Sequence, residues 1–192
     1  MTVIVGMRDE KLSRVVIGAD RLASDTSNFK MARLDHKAFI RDDVAIGFTW
    51  SYRYGQIVRY HAEWSEPELG CDLFAWMVTE FVPSIRKAIS EHGYMKVSDG
   101  LEASGEMLVG VDQRLFVVSS DFSVAEPACG YAAIGSGAKF AMGAVSALAA
   151  VKPSVYGIVE HAVSIAAEHD TTVAGFPLIV TTVRVSIPET AR

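Results

Sequence analysis

The sequence predicts an α+β protein in which two antiparallel β-sheets pack face to face between outer layers of helices, a four-layer αββα sandwich. Two observations lead to this prediction. The predicted elements follow the order strands, two helices, strands, two helices, strand. The predicted strands also lack polar alternation, which is typical of strands buried on both faces. Stacked layers explain both observations because they cover both faces of each sheet.

Composition sets the limits of the molecule. The 192 residues are 50% hydrophobic and carry a net charge of −5, which we interpret as one domain over residues 1–192 with a large core. Lys and Arg are scattered, so nucleic acid is not an expected partner. No apolar stretch approaches the roughly 18 residues of a transmembrane helix, and no secretory signal is recognisable. We therefore expect no membrane partner and a cytoplasmic location.

Cysteine and histidine give no sign of a metal centre. Cys71 and Cys129 lack CxxC spacing, and we predict that both are reduced, buried thiols. The histidines show no metal-ligand spacing, which argues against a zinc enzyme or a histidine-based hydrolase. They are His36, His61, His92, His161 and His169.

Two hairpins are predicted in the N-terminal part. Residues 3–7 and 15–19 are apolar and β-branched, and a polar segment separates them. Residues 37–40 and 44–49 form a second such pair, joined by an Asp-Asp turn. The polar stretch 24–35 between the hairpins is expected to be irregular.

Helical spacing then replaces the strand pattern. Apolar residues over 52–64 recur at roughly helical spacing, and those over 71–92 predict a long amphipathic helix. Pro83 lies inside the second segment and predicts a kink or a break. A further hairpin, a helix pair and a last strand complete the predicted order; they span residues 106–111 with 114–119, 138–150 with 153–168, and 178–185.

Three polar residues at predicted strand ends could form a catalytic group. Thr2 precedes the first strand, Asp20 ends the second, and Lys37 begins the third. If Met1 is removed, Thr2 carries both a hydroxyl nucleophile and a free amine that can act as its base. A neighbouring ammonium would lower the pKa of that amine from about 7.7–8.0, and Asp20 would hold the lysine. Each residue alone also fits an ordinary role as an edge-strand, turn or solvated flanking residue.

The segments around these residues resemble proteasome β-subunits and bacterial HslV-type peptidases, which are N-terminal-nucleophile (Ntn) hydrolases with a threonine nucleophile. The resemblance extends over nearly the whole chain in the expected order, and phage-associated and bacterial proteasome-like proteins are the most similar branch. It is carried by residues 2–6, 15–24, 36–39, 44–48, 107–112 and 133–143.

The resemblance implies a role for each matching polar position. Thr2 is the nucleophile and base, and Asp20 and Lys37 are the supporting charged pair. Ser136, between Gly135 and Gly137, hydrogen-bonds near the Thr2 amine, and Asp170 is the second acidic residue. Ordinary alternatives are a helix cap for Ser136 and a helix-terminal turn residue for Asp170.

Substrate and cation positions are also implied. Ser24 and Thr49 line the substrate site, where the backbone at Ser24 pairs with the peptide as a strand. No cofactor is required, but the main-chain carbonyls of Ala167, Asp170 and Val173 could hold a structural monovalent or divalent cation.

Two departures from the family pattern stand out. Trp50 occupies the position of a glycine whose amide N–H stabilises the oxyanion, and Val173 occupies the position of a serine. Since every residue except proline supplies an N–H, Trp50 remains the predicted oxyanion residue. Its indole could narrow or reshape the specificity pocket.

The function implied by the resemblance is a self-compartmentalising threonine peptidase. It would act on peptide or polypeptide substrates as a homo-oligomeric ring or stacked ring, with an ATPase unfoldase as a further possible partner. Two alternatives stay open at this point: a catalytically inactive assembly module, which retention of Met1 would favour, and a small-amide hydrolase whose site Trp50 closes to long peptides.

Overall fold

A computed structural model describes residues 2–24, 30–151, 154–171, 173 and 177–182, in which strands and helices come in blocks. The strands are β1 Ile4–Asp9, β2 Arg14–Ala19, β3 Leu22–Ser24, β4 Lys30–Ala32, β5 Ala38–Arg41, β6 Val44–Phe48, β7 Lys96–Ser98, β8 Leu101–Ala103, β9 Met107–Val111, β10 Arg114–Val118, β11 Val124–Ala125, β12 Tyr131–Ile134 and β13 Leu178–Thr181. The helices are α1 Tyr52–Tyr60, α2 Leu73–Trp76, α3 Val82–Glu91, α4 Ala138–Ala149 and α5 Val155–His169.

Two antiparallel sheets form the centre of the molecule. One has the strand order β12-β1-β2-β13, and the other has the order β11-β10-β9-β6-β5. Ile4 lies opposite Ala19 of β2 and Ile134 of β12, so the start of β1 is paired on both sides. Such pairing keeps a chain terminus from fraying.

Three hydrophobic clusters separate four layers. The sheets pack on each other through side chains such as Ile4, Ile17 and Leu108. Helices α1 to α3 cover the five-stranded sheet with residues including Tyr54, and α4 and α5 cover the four-stranded sheet with residues including Val159. The predicted αββα sandwich is confirmed. The strands of the two main sheets are largely apolar, with charged residues at their ends, because both faces of each sheet are covered.

The predicted hairpins are confirmed, but the irregular stretch over 24–35 is wrong in part. Strand β3 pairs with β4 in a small antiparallel ribbon outside the two main sheets; residues 25–29 lie outside the described part of the chain. This ribbon was missed because main-chain hydrogen bonds hold it, and an exposed ribbon needs no apolar alternation. The predicted last strand is described as far as Thr181.

The helical region around Pro83 divides into three parts. Helix α2 passes into a π-helical turn over Met77–Phe81, and α3 follows with Pro83 in its first turn. Proline lacks an N–H, and its ring clashes with the carbonyl four residues earlier. A π turn just before the proline accommodates both effects, so the predicted interruption takes the form of a wide turn inside one continuous helical region.

The prediction of two buried thiols is wrong. Cys129 is exposed and Cys71 is half-buried, and both are free thiols. Cys129 lies in the loop before β12, where its Sγ donates to the Tyr131 carbonyl at 3.2 Å. The described residues contain no group of three His, Cys, Asp or Glu side chains placed to hold a metal ion. Within that same part of the chain, each helix is too short or too polar to cross a bilayer.

Candidate active site

Thr2 lies buried at the start of β1, where three segments of the chain meet. Its N–H donates to Ser136 Oγ at 3.3 Å, and its carbonyl accepts from Ser136 Oγ and from the Gly137 N–H, each at 3.3 Å. On the other side, the Asp20 N–H donates to the Val3 carbonyl at 3.2 Å. The main chain at Thr2 and Val3 is therefore held from both sides, by the turn that follows β12 and by the residue that follows β2.

Gly135 makes this close approach possible. Its φ of +92° lies in the left-handed region, and a Cβ at this position would come within 2.2 Å of the Thr2 carbonyl oxygen. Only glycine meets both requirements without strain. The Gly135-Ser136-Gly137 sequence thus allows the turn into α4 to contact Thr2, just before the start of β1.

Asp20 and Lys37 form a buried ion pair beside Thr2. Lys37 Nζ lies 3.0 and 2.9 Å from the two Asp20 carboxylate oxygens, with side-chain exposures of 4% and 0%. The carboxylate also accepts from the N–H groups of Val3 at 3.0 Å and Leu22 at 3.1 Å. The Asp20 carboxylate therefore connects the starts of β1 and β3 with Lys37, the residue that precedes β5. The structure thus brings Thr2, Asp20 and Lys37 to one place, as the sequence predicted.

Burial determines the electrostatics of this pair. Desolvation lowers the pKa of Lys37 below its ordinary value, and the attraction of Asp20 opposes that shift without cancelling it. The Asp20–Lys37 pair carries no net charge as a whole. Groups close to the Lys37 ammonium nevertheless experience its positive charge.

A cleft of about 210 Å³ opens next to Thr2. Its lining includes Thr2 and Lys37 together with three aromatic residues, Phe48, Trp50 and Tyr52. The remaining lining residues are Leu22, Ala23, Thr49 and Ser51. The cleft therefore combines a hydroxyl group and an ammonium group with aromatic and apolar side chains.

Trp50 forms the rim of the cleft in an unusual backbone conformation. Its φ is +77°, a left-handed value that is an outlier for a bulky residue. The indole is 42% exposed and packs against the rings of Tyr94 at 4.9 Å and Tyr54 at 5.8 Å. Within the described part of the chain, no hydrogen bond uses the Trp50 N–H. Since Trp50 lines the cleft, its N–H is a candidate donor to a bound ligand.

Thr49 and the first two residues of β3 also border the cleft. The Thr49 hydroxyl is held by the Glu106 main chain, accepting from the N–H at 3.0 Å and donating to the carbonyl at 3.3 Å. Leu22 and Ala23 of β3 line the cleft, and Ser24 ends the same strand. A substrate would meet the backbone of these residues; their substrate-binding role stays a prediction.

The turn after α5 lies next to the segment that holds Thr2. Asp170 caps the helix, and its carbonyl accepts from the Val173 N–H at 3.0 Å. Buried Val173 packs with Val3, and its Cγ2 lies 3.3 Å from the position of a Cβ added to Gly137. The catalytic role of Asp170 and the cation site at Ala167, Asp170 and Val173 stay predictions.

Tyr52 is a cleft residue that no sequence pattern singled out. Its hydroxyl is buried and has no hydrogen-bond partner among the described residues. The Arg33 guanidinium lies 4.0 Å from the ring centroid, and Lys37 Nζ lies 5.9 Å from it. Burial, with Asp20 nearby, raises the pKa of Tyr52 to about 12. An aromatic residue at a predicted helix start reads as core, so no local signal marked it.

Comparison with known proteins gives matches at the level of structure. The sequence matches no protein-family model and no curated protein. Two structures of BPH from Thiobacillus denitrificans are similar: one in complex with epoxomicin (TM-score 0.77, 23% identity, 97% of this chain and 100% of that chain) and one without it (0.75, 25%, 97% and 99%). HslV from Trypanosoma brucei is also similar (0.66, 22%, 94% and 98%).

Anbu (ancestral beta-subunit) from Yersinia bercovieri has the same fold at 11% identity and a TM-score of 0.66, over 94% of this chain and 81% of that one. All these neighbours are proteasome-type Ntn hydrolases. The cleft beside Thr2 therefore lies in a four-layer sandwich of their kind, and the chain has the fold of the proteasome-type Ntn hydrolases.

Proposed function

We propose that the protein is a threonine peptidase that hydrolyses peptide bonds with Thr2 as its N-terminal nucleophile once Met1 has been removed. The observation that carries this proposal is the convergence of Thr2 with the buried Asp20–Lys37 pair at an open cleft. A buried ion pair costs desolvation free energy and is weak evidence for stability alone. A role in chemistry gives a reason for placing it next to a hydroxyl.

The proposed reaction uses both functional groups of Thr2. Its Oγ attacks the carbonyl carbon of the scissile peptide while the free α-amine accepts the hydroxyl proton. The tetrahedral intermediate then expels the leaving amine, which takes that proton, and an ester to Thr2 remains. Water adds to the ester with the same amine as base, and the acid product leaves as Thr2 is regenerated.

The charged pair tunes this base. A positive charge near the α-amine disfavours its protonated form and keeps it able to accept a proton near neutral pH. Asp20 fixes the ammonium through two oxygens and anchors the main chain on either side of the site. Ser136 contacts the Thr2 nitrogen and is suited to orient the amine.

The oxyanion of the intermediate would be bound by the main chain at Trp50. The unused N–H of Trp50 at the cleft is a donor of the required kind, and such a donor contributes about 10²–10³ to kcat in other hydrolases. The indole packs against Tyr94 and lines the cleft, where it would restrict the space for a substrate.

Assembly and cellular context belong to the same proposal. The similarity to HslV and to the ancestral beta-subunit supports a homo-oligomeric ring or stacked ring with the clefts inside, working on polypeptides in the cytoplasm. An ATPase unfoldase would supply unfolded chains. A structural cation near Ala167, Asp170 and Val173 would steady the turn beside Thr2.

The experiment that tests the proposal is an intact mass of the purified protein combined with N-terminal sequencing and a peptidase assay. A chain that begins at Thr2 and hydrolyses a blocked fluorogenic tripeptide is expected. Thr2→Ala should abolish hydrolysis, while Thr2→Ser keeps the hydroxyl and should retain measurable activity. A peptide epoxyketone such as epoxomicin should add one inhibitor mass to the wild type and none to Thr2→Ala.

Two outcomes would replace this function. Complete retention of Met1 together with no hydrolysis would favour an inactive assembly module, since the hydroxyl would then lack its amine. A small-amide hydrolase is the second candidate, because the bulky Trp50 side chain lines the cleft and would restrict the access of long peptides. Turnover of a small acyl amide, with none of a blocked tripeptide, would select that alternative.

A further inference from the structure

The cleft beside Thr2 is one of two cavities that share an aromatic wall. A second cavity of about 60 Å³, the rear cavity, shares the lining residues Phe48 and Tyr52 with the cleft. Its other lining residues include the polar Asp35, His36 and Arg59. Phe48 and Tyr52 therefore belong to a wall that the cleft and the rear cavity have in common.

Tyr52 is the more replaceable part of this wall. The Phe48 ring is enclosed: it packs against Gly55, where an added Cβ would come within 2.0 Å of Phe48 Cζ. Tyr52 meets Phe48 edge-on at 6.4 Å, and the Arg33 guanidinium lies 4.0 Å from the centroid of its ring. Arg33 is itself held by Asp35, with Nε 2.7 Å from the carboxylate.

Two of the residues that line the rear cavity have buried polar atoms with no hydrogen-bond partner among the described residues. These atoms are the Tyr52 hydroxyl oxygen and His36 Nδ1. Burial lowers the pKa of His36, so its ring is neutral near pH 7. A cavity of this size with polar groups can accept a water molecule or the polar end of a side chain.

We propose that Tyr52 is a partition that limits the depth of the pocket for the substrate side chain next to the scissile bond. This inference rests on the proposed peptidase function. With the ring in place, the cleft accepts short apolar side chains such as alanine against Phe48 and Ala23. A long side chain with an uncharged polar end, such as glutamine, is excluded because the ring closes the route to the rear cavity.

Removal of the ring should join the two cavities. Tyr52→Ala would give a longer pocket whose end offers His36 and Gln56 to an amide group. Tyr52→Phe keeps the ring and removes only the unpaired hydroxyl. Tyr60→Ala is the matched control, because Tyr60 lines the rear cavity but not the cleft and is 68% exposed.

The test compares kcat/KM for two blocked fluorogenic tripeptides that differ only in ending with alanine or glutamine. The wild type should prefer alanine. Tyr52→Ala should raise the glutamine-to-alanine ratio by about tenfold or more, a change typical of adding or removing pocket contacts. Tyr52→Phe and Tyr60→Ala should leave the ratio within about twofold. An unchanged ratio in Tyr52→Ala, or an equal rise in Tyr60→Ala, would overturn the partition.

A second measurement separates this inference from the proposed function. The affinities of the same peptides as free acids can be measured by calorimetry on the Thr2→Ala background, where no turnover is needed. A glutamine preference gained on adding Tyr52→Ala supports the partition even if the wild type hydrolyses neither peptide; no gain overturns it. Tyr52→Leu, which keeps an apolar contact to Phe48, replaces Tyr52→Ala if circular dichroism shows that variant unfolded.

Discussion

The Asp20 carboxylate accepts four hydrogen bonds, two from main-chain N–H groups and two from Lys37. The same two oxygens anchor the starts of β1 and β3 and position the Lys37 ammonium, so Asp20 stabilises the fold and also sets the place of a charge beside Thr2. We therefore expect a change at Lys37 to affect the stability of the fold and, under the proposed function, the rate of hydrolysis, so the two effects have to be measured separately.

Lys37→Met should lower the free energy of unfolding by about 3–5 kcal/mol, because it leaves a buried carboxylate unpaired. Hydrolysis should fall by orders of magnitude through loss of the charge near the amine. Adding Asp20→Asn should restore much of the stability, measured by urea unfolding, without restoring hydrolysis. Full activity in the folded single variant would show that Lys37 has no part in the reaction.

Trp50→Gly should reduce kcat/KM by much less than the about 10²–10³ that loss of an oxyanion donor causes. The N–H is retained, and glycine adopts the φ of +77° without strain. The kcat/KM for larger substrates should rise relative to that for small ones, because the indole would no longer occupy part of the cleft lining. Loss of turnover on all substrates, with a normal melting curve, would mean that the indole itself takes part.

His36 should make the fold sensitive to mild acid. Burial, together with nearby Arg21 and Arg59, lowers the pKa of this histidine below 6.5, so the unfolded chain binds its proton more readily than the folded chain does. The stability that His36 contributes is complete above 6.5 and is lost as the pH falls below that value. The drop in unfolding free energy from about pH 7.5 to about pH 5.5 should be smaller in His36→Gln. An equal drop in both proteins would contradict this.

Part of the site was predictable from sequence at this scale. Thr2, Asp20 and Lys37 lie at the ends of apolar runs, and short runs that pair as neighbours bring their ends together. Ser136 was predictable only through its glycine neighbours. Tyr52 was not predictable, because its importance comes from two cavities formed by segments distant in sequence.

At the scale of elements, hydrophobic pattern and turn chemistry defined the hairpins correctly. The Asp42-Asp43 turn has φ values of +51° and +57°, as a tight two-residue hairpin turn requires. The β3–β4 ribbon and the π turn before Pro83 escaped prediction. The β3–β4 ribbon is held by main-chain hydrogen bonds, which leave no side-chain pattern in the sequence. The π turn depends on how the helix accommodates Pro83, which has no N–H to donate.

Close packing between the sheets should make Gly47 intolerant of a side chain. A Cβ there would lie 2.4 Å from Ile4 Cγ2 and 3.0 Å from Ile17 Cγ2. Gly47→Ala should therefore cost about 1–3 kcal/mol of stability in urea unfolding. Gly143→Ala is the control: an added Cβ in α4 meets nothing within 4 Å and should stabilise by about 0.5–1 kcal/mol. Equal effects at both positions would contradict the observed sheet separation.

At the scale of the whole molecule, the proposed ring should not depend on chemistry. Thr2 is buried inside the protomer, so Thr2→Ala removes a hydroxyl without changing the outer surface. Native mass spectrometry should give the same multimer for Thr2→Ala and the wild type. A monomer in both would contradict the assembly proposal, while a monomer in Thr2→Ala alone would link assembly to the active site.

The contacts of Thr2 with Ser136 and Gly137 also impose an order in time. Thr2 and Ser136 are separated by 134 positions, so a ribosome has to add at least that many residues after Thr2 before these contacts can form. At about 5–20 residues per second, this takes roughly 7 to 27 seconds. During synthesis Thr2 lacks these contacts, so under the proposed function a nascent copy has no assembled active site.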